Sequence, residues 1–350
     1  MRAFPFNLFL YYLLIVFLAG CETSQNLTIQ VLTPPEMHLS SGRGKYVLLN
    51  RIPSLTQFLE TDSIKAGDIS MSISYYNYLS WEAVNGCLDI LELSPVMDSI
   101  ILDTLLYKHL SADSLKEVRL IDPGFIHDLC VKYGTNGVIS LDEISLFDTL
   151  EIRPLFERSE EIENARGIIA NEKIWPGTRW RVYSDSGSVL VDYTFNDTLS
   201  WQGVGFNEEY AVNQLPLLID MLPMALQHSG ETFGKLIAPY WTEVNRVYYC
   251  SGSPEMKKAA KLASNNDWLA AATIWNAQST DHNHVLAAHA AFNMALSCEV
   301  MDKIGLAMVW INKSWNLDES EVTKIYADIL LNRKRNKNII SGQFDSIEYK

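Results

Sequence analysis

The chain opens on an almost uncharged apolar run, MRAFPFNLFLYYLLIVFLAGC, whose unbroken core from Leu8 to Leu18 stops against the polar ETSQN. Residues 22–44 are polar, with Pro34-Pro35 and the breaker run Ser40-Ser41-Gly42-Arg43-Gly44, and predict a tether with at most one strand. KYVLLN (45–50), bounded by Gly44 and Pro53, predicts a buried strand. Helical periodicity then places Val84, Leu88 and Leu91 on one face of a helix from Trp81 to Leu93, stopped by Pro95. SIILDTLLY (99–107) reads as strand, PGFIHDLCVKYG (123–134) as a helix entered at Pro123 with Gly134 near its C-cap, and VISLDEISLF (138–147) as strand. From Ile168 to Trp201 the pattern becomes that of antiparallel strands, with Pro176-Gly177 and Asp185-Ser186-Gly187 read as turns. A helix-like segment from Tyr210 to His228 closes this part.

Strands interleaved with helices of this size predict an α+β domain, a mixed or antiparallel sheet with packed helices, over residues 45–251. After Ser251-Gly252-Ser253-Pro254 the composition turns Ala-rich, with few Gly and Pro and helical periodicity to about Arg335. This predicts an all-α domain over 252–350. The region matches itself at an offset of 35: Asp267, Ala272, Trp275 and Ser279 fall on Asp302, Ala307, Trp310 and Ser314, and Ala260 falls on Ala295. Such a period, with Ala271-x-x-x-Trp275 in a second helix, resembles the tetratricopeptide repeat. The second copy departs from it, because Leu306 stands where the small residue should fall.

The opening run is too short to span a bilayer, which takes roughly 20 apolar residues, and matches the apolar region of a signal peptide. Arg2 supplies the positive start, and Leu18-Ala19-Gly20-Cys21 resembles the bacterial lipobox. That resemblance implies removal of residues 1–20 and a mature chain whose Cys21 is acylated, with 21–44 as the lipidated tether. More than one acyl chain gives stable membrane anchoring. The formal charge, −14 for the whole chain, becomes −15 once Arg2 is removed. Such a chain is poorly suited to nucleic acid or to an anionic lipid surface, both of which need clustered positive charge.

Four cysteines remain, Cys87, Cys130, Cys250 and Cys298, without C-x-x-C spacing. Free buried thiols are one reading and a Cys87–Cys130 bridge the other. G-x-S-x-G and H-E-x-x-H are absent, and Gly42-Arg43-Gly44-Lys45 lacks the leading glycine and the Ser or Thr of a phosphate loop. His282, His284 and His289 do not share a helix face, and Asp281 and Asn283 suit helix N-caps better than a metal. No catalytic residue, cofactor or metal is therefore assigned. Asp followed by Ser or Thr and an apolar residue recurs at Ser63, Ser99, Thr104, Ser114, Thr149, Thr198 and Ser346. The triplet resembles the acceptor motif for protein O-glycosylation in Bacteroidetes, with Ser346 and Ser63 having the most exposed flanks; turns and helix starts favour the same pairs.

LAGC, KYVLLNR, KYGTNGVISL, WRVYSDSG, APYWTEVNRVYY and AAFNMALSCE together resemble a family of uncharacterised Bacteroidetes-type lipoproteins. The resemblance implies a front half like the amino-terminal domain of TolB and envelope lipoproteins such as CsgG, and a tetratricopeptide-like back half. The expected function is a lipid-anchored cell-envelope protein of the outer membrane, not an enzyme, that docks a protein partner through its C-terminal helices. The alternative is an envelope enzyme or small-ligand carrier with a site at the domain junction.

Overall fold

The computed structural model describes residues 23–37, 39, 44–53, 63–103, 120–157 and 165–345. The fold is α+β: a sheet domain precedes a helical region. Its elements are β1 (Ser24–Thr33), β2 (Gly44–Asn50), β3 (Ser63–Ala66), β4 (Ile69–Ser72), α1 (Ile73–Glu92), β5 (Met97–Asp103), α2 (Pro123–Tyr133), β6 (Gly137–Glu157) and β7 (Ala165–Ser184), followed by β8 (Val189–Asn196), β9 (Leu199–Gly205), α3 (Glu208–Asn213), α4 (Leu218–Ile237) and β10 (Tyr240–Tyr249). Five helices complete the chain: α5 (Pro254–Ser264), α6 (Trp268–Gln278), α7 (His284–Val300), α8 (Ile304–Leu317) and α9 (Glu321–Asp345). Two compact units result. One spans Thr33–Tyr240 and the end of α9 from Ile340; the other joins β1 up to Leu32 with Trp241–Ile339.

In the sheet unit β2 lies between β5 and β6 and runs parallel to both, while β7 pairs antiparallel with β6, β8 and β9. The alternation of β2 explains why both faces are covered. Tyr46 and Leu48 point into the core under α1 and α4, whereas Val47 and Leu49 point at Ile126, Leu129 and Cys130 of α2. The crossover from β2 to β5 and the return from β5 to β6 run in opposite directions, so right-handed connections put α1 and α2 on opposite faces. This arrangement settles the cysteine question. Cys87 is buried on the α1 face and Cys130 on the α2 face, and all four described cysteines are free.

Several boundaries differ from those expected. α1 begins eight residues before Trp81, because Ser72 caps it and accepts from the Tyr75 N–H at 3.2 Å. The Pro176-Gly177 pair is not a turn but lies within β7, opposite Leu146 and Ser145 of β6. The second partner of β7 changes there: β9 pairs as far as Ile174 and β8 starts at Gly177. Pro176 therefore lacks an N–H where no third strand needs one. The expected strands at 99–107 and 138–147 are observed as β5, described to Asp103, and as the much longer β6. Tyr210–His228 divides into α3 and α4.

The stretch read as a tether contains β1, which belongs to the helical unit. The Thr23 C=O accepts from the Cys250 N–H at 3.1 Å, Tyr248 donates to Gln25 at 2.7 Å, and Thr28 donates to Asn245 at 2.9 Å. Partners on β10 descend as β1 ascends, the order of an antiparallel ribbon. Leu27 packs on the helical core, and Ile29 and Val31 share its face.

The internal repeat is real but its shift is 36, not 35. Asn266 and Asp302 both adopt positive φ, at 64° and 57°. Each is followed by the same closing bond, Asp267 N–H to Leu262 C=O at 2.9 Å and Lys303 N–H to Cys298 C=O at 2.8 Å. On this shift Ala271 falls on Ala307 and Trp275 on Ile311, all four fully buried. The offset of 35 followed shared Asp, Ala and Trp letters; with 36, the small residue falls on Ala307, and Leu306 is an exposed neighbour.

α1 and α4 approach through glycine. A Cβ on Gly230 would strike the Ala83 carbonyl, and one on Gly86 the Gln227 carbonyl. Overpacking of this kind costs about 1–3 kcal/mol. Gly230→Ala is expected to lower the unfolding temperature of the sheet unit by several degrees, while Gly305→Ala, at an open position of α8, leaves it unchanged or slightly higher; differential scanning calorimetry of the two variants checks this.

Candidate functional site

In the helical unit a buried carboxylate gathers three side chains from two elements. Glu299 of α7 is fully buried in a helix that is apolar almost all round. The Arg246 guanidinium of β10 donates to it through Nε at 3.0 Å and Nη2 at 2.9 Å. Tyr326 of α9 donates at 2.6 Å, and Arg333 Nη1 lies 2.8 Å from Oε1. Burial alone would raise the carboxyl, but the bonds from Arg246, Tyr326 and Arg333 outweigh it and hold Glu299 below the usual carboxylate range. Burial first, then the Glu299 charge, raise the Tyr326 phenol well above its ordinary value.

Beside this cluster lies a groove. Its cavity of about 180 Å³ is lined by Asn245, Arg246 and Val247 of β10, Phe292 of α7, and Val322, Ile325, Tyr326 and Ile329 of α9. Val322, Ile325 and Val247 are 45%, 53% and 38% exposed, so the walls are apolar and open to solvent. The β10 wall is a strand edge. Since Cys250 bonds inward to β1, Tyr249, Val247 and Asn245 turn their backbone groups the other way. At Tyr249 that edge is closed by the Asn293 carboxamide, which accepts from its N–H at 2.8 Å and donates to its C=O at 2.7 Å. At Asn245 the carbonyl takes Arg246 Nη1 at 3.0 Å. A strand edge next to an apolar trough offers main-chain bonds and side-chain burial together, the two terms used by grooves that take up extended or helical peptides.

The sheet unit has its own polar cluster on the α2 face of the sheet, where β2 ends. Asp142 sits at a register break of β6 and is fully buried. Its carboxylate receives Ser140 Oγ at 2.8 Å, lies 2.9 Å from Arg51 Nη1, and is bonded by Arg181. Arg181 passes on to Asp192 at 3.0 Å, which also receives a bidentate pair from Arg179. The Arg179 bonds, and next those of Arg181, lower the Asp192 carboxyl. Crevices of open parallel sheets form where connections leave to opposite faces. Here that point lies between the ends of β2 and β5, marked by Arg51 and by buried Asp103, which accepts from Tyr133 at 3.1 Å. The charges of Arg51 and Arg181 are turned inward on Asp142, so the cluster ties strands together.

One further carboxyl stands apart. Glu172 of β7 is 7% exposed, its Oε1 has no hydrogen-bond partner, and burial and then the neighbouring Asp148 raise its carboxyl.

The residues singled out in the sequence do not converge. Ser63, Ser99, Thr149 and Thr198 are exposed, on separate strands and a turn. Thr149 donates to the Asp148 carbonyl at 2.8 Å within β6, and Asp197 accepts from the Thr198 N–H at 2.7 Å in the β8–β9 connection, so these Asp-Thr pairs make local bonds of their own. Cys21, Thr104, Ser114 and Ser346 lie outside the described residues. Asn283 caps α7, and Asp281 accepts from the Asn283 N–H. His289 stacks on Tyr249 with centroids 3.6 Å apart, and burial lowers its pKa. Among the described residues no group of three His, Cys, Asp or Glu side chains is placed to hold a metal ion. Glu299, Asn293, Asp142 and Arg181 escaped notice, although a lone Asn and Glu inside the apolar AAFNMALSCEV and the Arg-x-Arg of TRWRVY were visible signals.

The chain is thus an α+β protein with a helical second part. Residues 44–249, more than half of the chain, match the family model described as Domain of unknown function (DUF8603), and the chain belongs to that family. Residues 257–339 match a further Domain of unknown function (DUF6340). No curated protein matches the chain.

Two outcomes follow for the carboxyls. For Glu299, whose folded value lies below the unfolded one, the stability it contributes is present above the unfolded value and is lost as pH falls through the folded one. Glu299→Gln is expected to destabilise the helical unit by about 3–5 kcal/mol at neutral pH, by leaving Arg246 and Arg333 without their counter-charge. The difference from the native chain should shrink only at strongly acid pH in urea titrations. Glu172 has the opposite sign: its raised carboxyl costs stability once pH exceeds the unfolded value, so Glu172→Gln should raise the unfolding temperature at pH 7 by about 2–4 °C and by less near pH 4.

Proposed function

We propose that this protein is an acylated envelope lipoprotein, anchored through Cys21, that docks a protein partner on its helical unit without catalysing a reaction. The observation that carries the docking role is the trough between the outward edge of β10 and α9. It combines exposed Val247, Val322 and Ile325 with a strand edge beside them. The anchor is supported by the lipobox-like Leu18-Ala19-Gly20-Cys21 after a short apolar run. Among the described residues no helix is long and apolar enough to cross a bilayer.

The parallel β5-β2-β6 core with helices on both faces supports a TolB-amino-terminal or CsgG-like front half. The two helix pairs related by a shift of 36 residues support a tetratricopeptide-like back half. Absence of an Asp after Cys21 supports the outer membrane over the inner one. The exposed hydroxyls of Ser63, Ser99, Thr149 and Thr198 are accessible acceptors if the envelope glycosylates this chain.

Cys21→Ser is expected to abolish incorporation of a radiolabelled fatty acid and to move the protein from the membrane to the soluble fraction; retained label overturns the anchor. Ile325→Glu should leave the unfolding temperature unchanged while removing the partners that the native chain captures after crosslinking in intact cells. Identical partners from both chains overturn the trough as the docking site.

A further inference from the structure

The first residues after the proposed anchor are built into the helical unit. Thr23 is bonded to Cys250, and Gln25 to Tyr248. Only Glu22 separates Thr23 from Cys21, and the two steps of chain reach at most about 7 Å. An acylated Cys21 would therefore hold this end of the ribbon against the bilayer surface, where a loose tether would leave it free.

α5 is the helix that flanks this end. It starts four residues after Cys250, and its other end lines, with Gln25, Asn26 and Leu27, one open cleft through Ala263, Ser264 and Asn266. The helix is amphipathic: Met256, Ala259, Ala260 and Ala263 are buried, while Lys257, Lys258 and Lys261 form an exposed stripe on the opposite side. Four residues of chain span about 13 Å at most, so the first turn of α5 lies within reach of the headgroup layer. In a chain with a net charge of −14, a local run of three lysines beside the anchor complements anionic headgroups and is attracted to them across roughly a Debye length of 8 Å.

We propose that the end of the helical unit formed by the start of β1 and by α5 is a membrane-facing surface, on which Lys257, Lys258 and Lys261 engage anionic lipid headgroups. The inference rests on the acylation of Cys21, and its test separates the two. The chain beginning at Cys21 is coupled through that thiol to a maleimide phospholipid in vesicles, which sets the anchor whether or not cells acylate it; the other four cysteines are buried. Modification of lysines by an amine-reactive reagent is then followed by mass spectrometry. On vesicles of phosphatidylcholine with phosphatidylglycerol, Lys257, Lys258 and Lys261 should react roughly fivefold more slowly than in solution. On phosphatidylcholine alone, or at high salt, most of that protection should disappear. A flexible Gly/Ser insertion of about ten residues between Glu22 and Thr23 should restore the solution rate. Reaction at the solution rate on the anionic vesicles overturns the surface, and protection that survives the insertion overturns the role of the short connection. Loss of acylation in cells, with protection of the coupled chain intact, would overturn only the anchor.

Discussion

A single buried carboxylate sets the geometry of the helical unit. Glu299 lies on α7 with no exposure to solvent, and an ion there is tolerated only because Arg246, Tyr326 and Arg333 converge on it. Arg246 belongs to β10, so the ion pair ties that strand to the helices. β10 in turn holds β1 through Thr23, Gln25 and Thr28. The place where the chain enters the unit, and the outward strand edge beside α9, both follow from where Glu299 holds β10. Asn293, one and a half turns earlier on α7, completes the register by bonding both backbone groups of Tyr249.

The sheet unit uses a different device. Three parallel strands are covered on both faces by apolar side chains, and α1 and α4 close over one face at glycine contacts that leave no room for a Cβ. Its charges, from Arg51 through Asp142 and Arg181 to Asp192 and Arg179, are matched in sequence across the sheet. This alternation of sign accounts for the burial of Arg51, Asp142 and Arg181.

Much of this organisation was legible in the chain, because hydrophobic rhythm reports what an element buries. KYVLLN is continuous in apolar residues since β2 is covered on both sides, and the Ala-rich segment after Pro254 reads as helix since its helices pack closely. What the rhythm could not report was pairing across distance. β1 is a plain alternating stretch whose partner lies more than two hundred residues later, and nothing local distinguishes it from a polar tether. Pro176-Gly177 reads as a turn until β8 and β9 are seen to exchange places beside it. Identical Asp, Ala and Trp letters align at a shift of 35, whereas the left-handed residues Asn266 and Asp302, which end the first helix of each pair, set it at 36. Of the polar residues that matter, Glu299 and Asn293 were signalled by their isolation in an apolar helix, but their partners on β10 and α9 were not.

Held by β10, and so by Glu299, β1 is a working strand of the helical unit. Hydrogen–deuterium exchange of the full chain, resolved to the amides from Gln25 to Val31, tests this most directly. Protection comparable to that of Val244–Tyr248 is the result the account predicts. Exchange of the β1 amides at the rate of an unstructured peptide, while β10 and α7 stay protected, would contradict it.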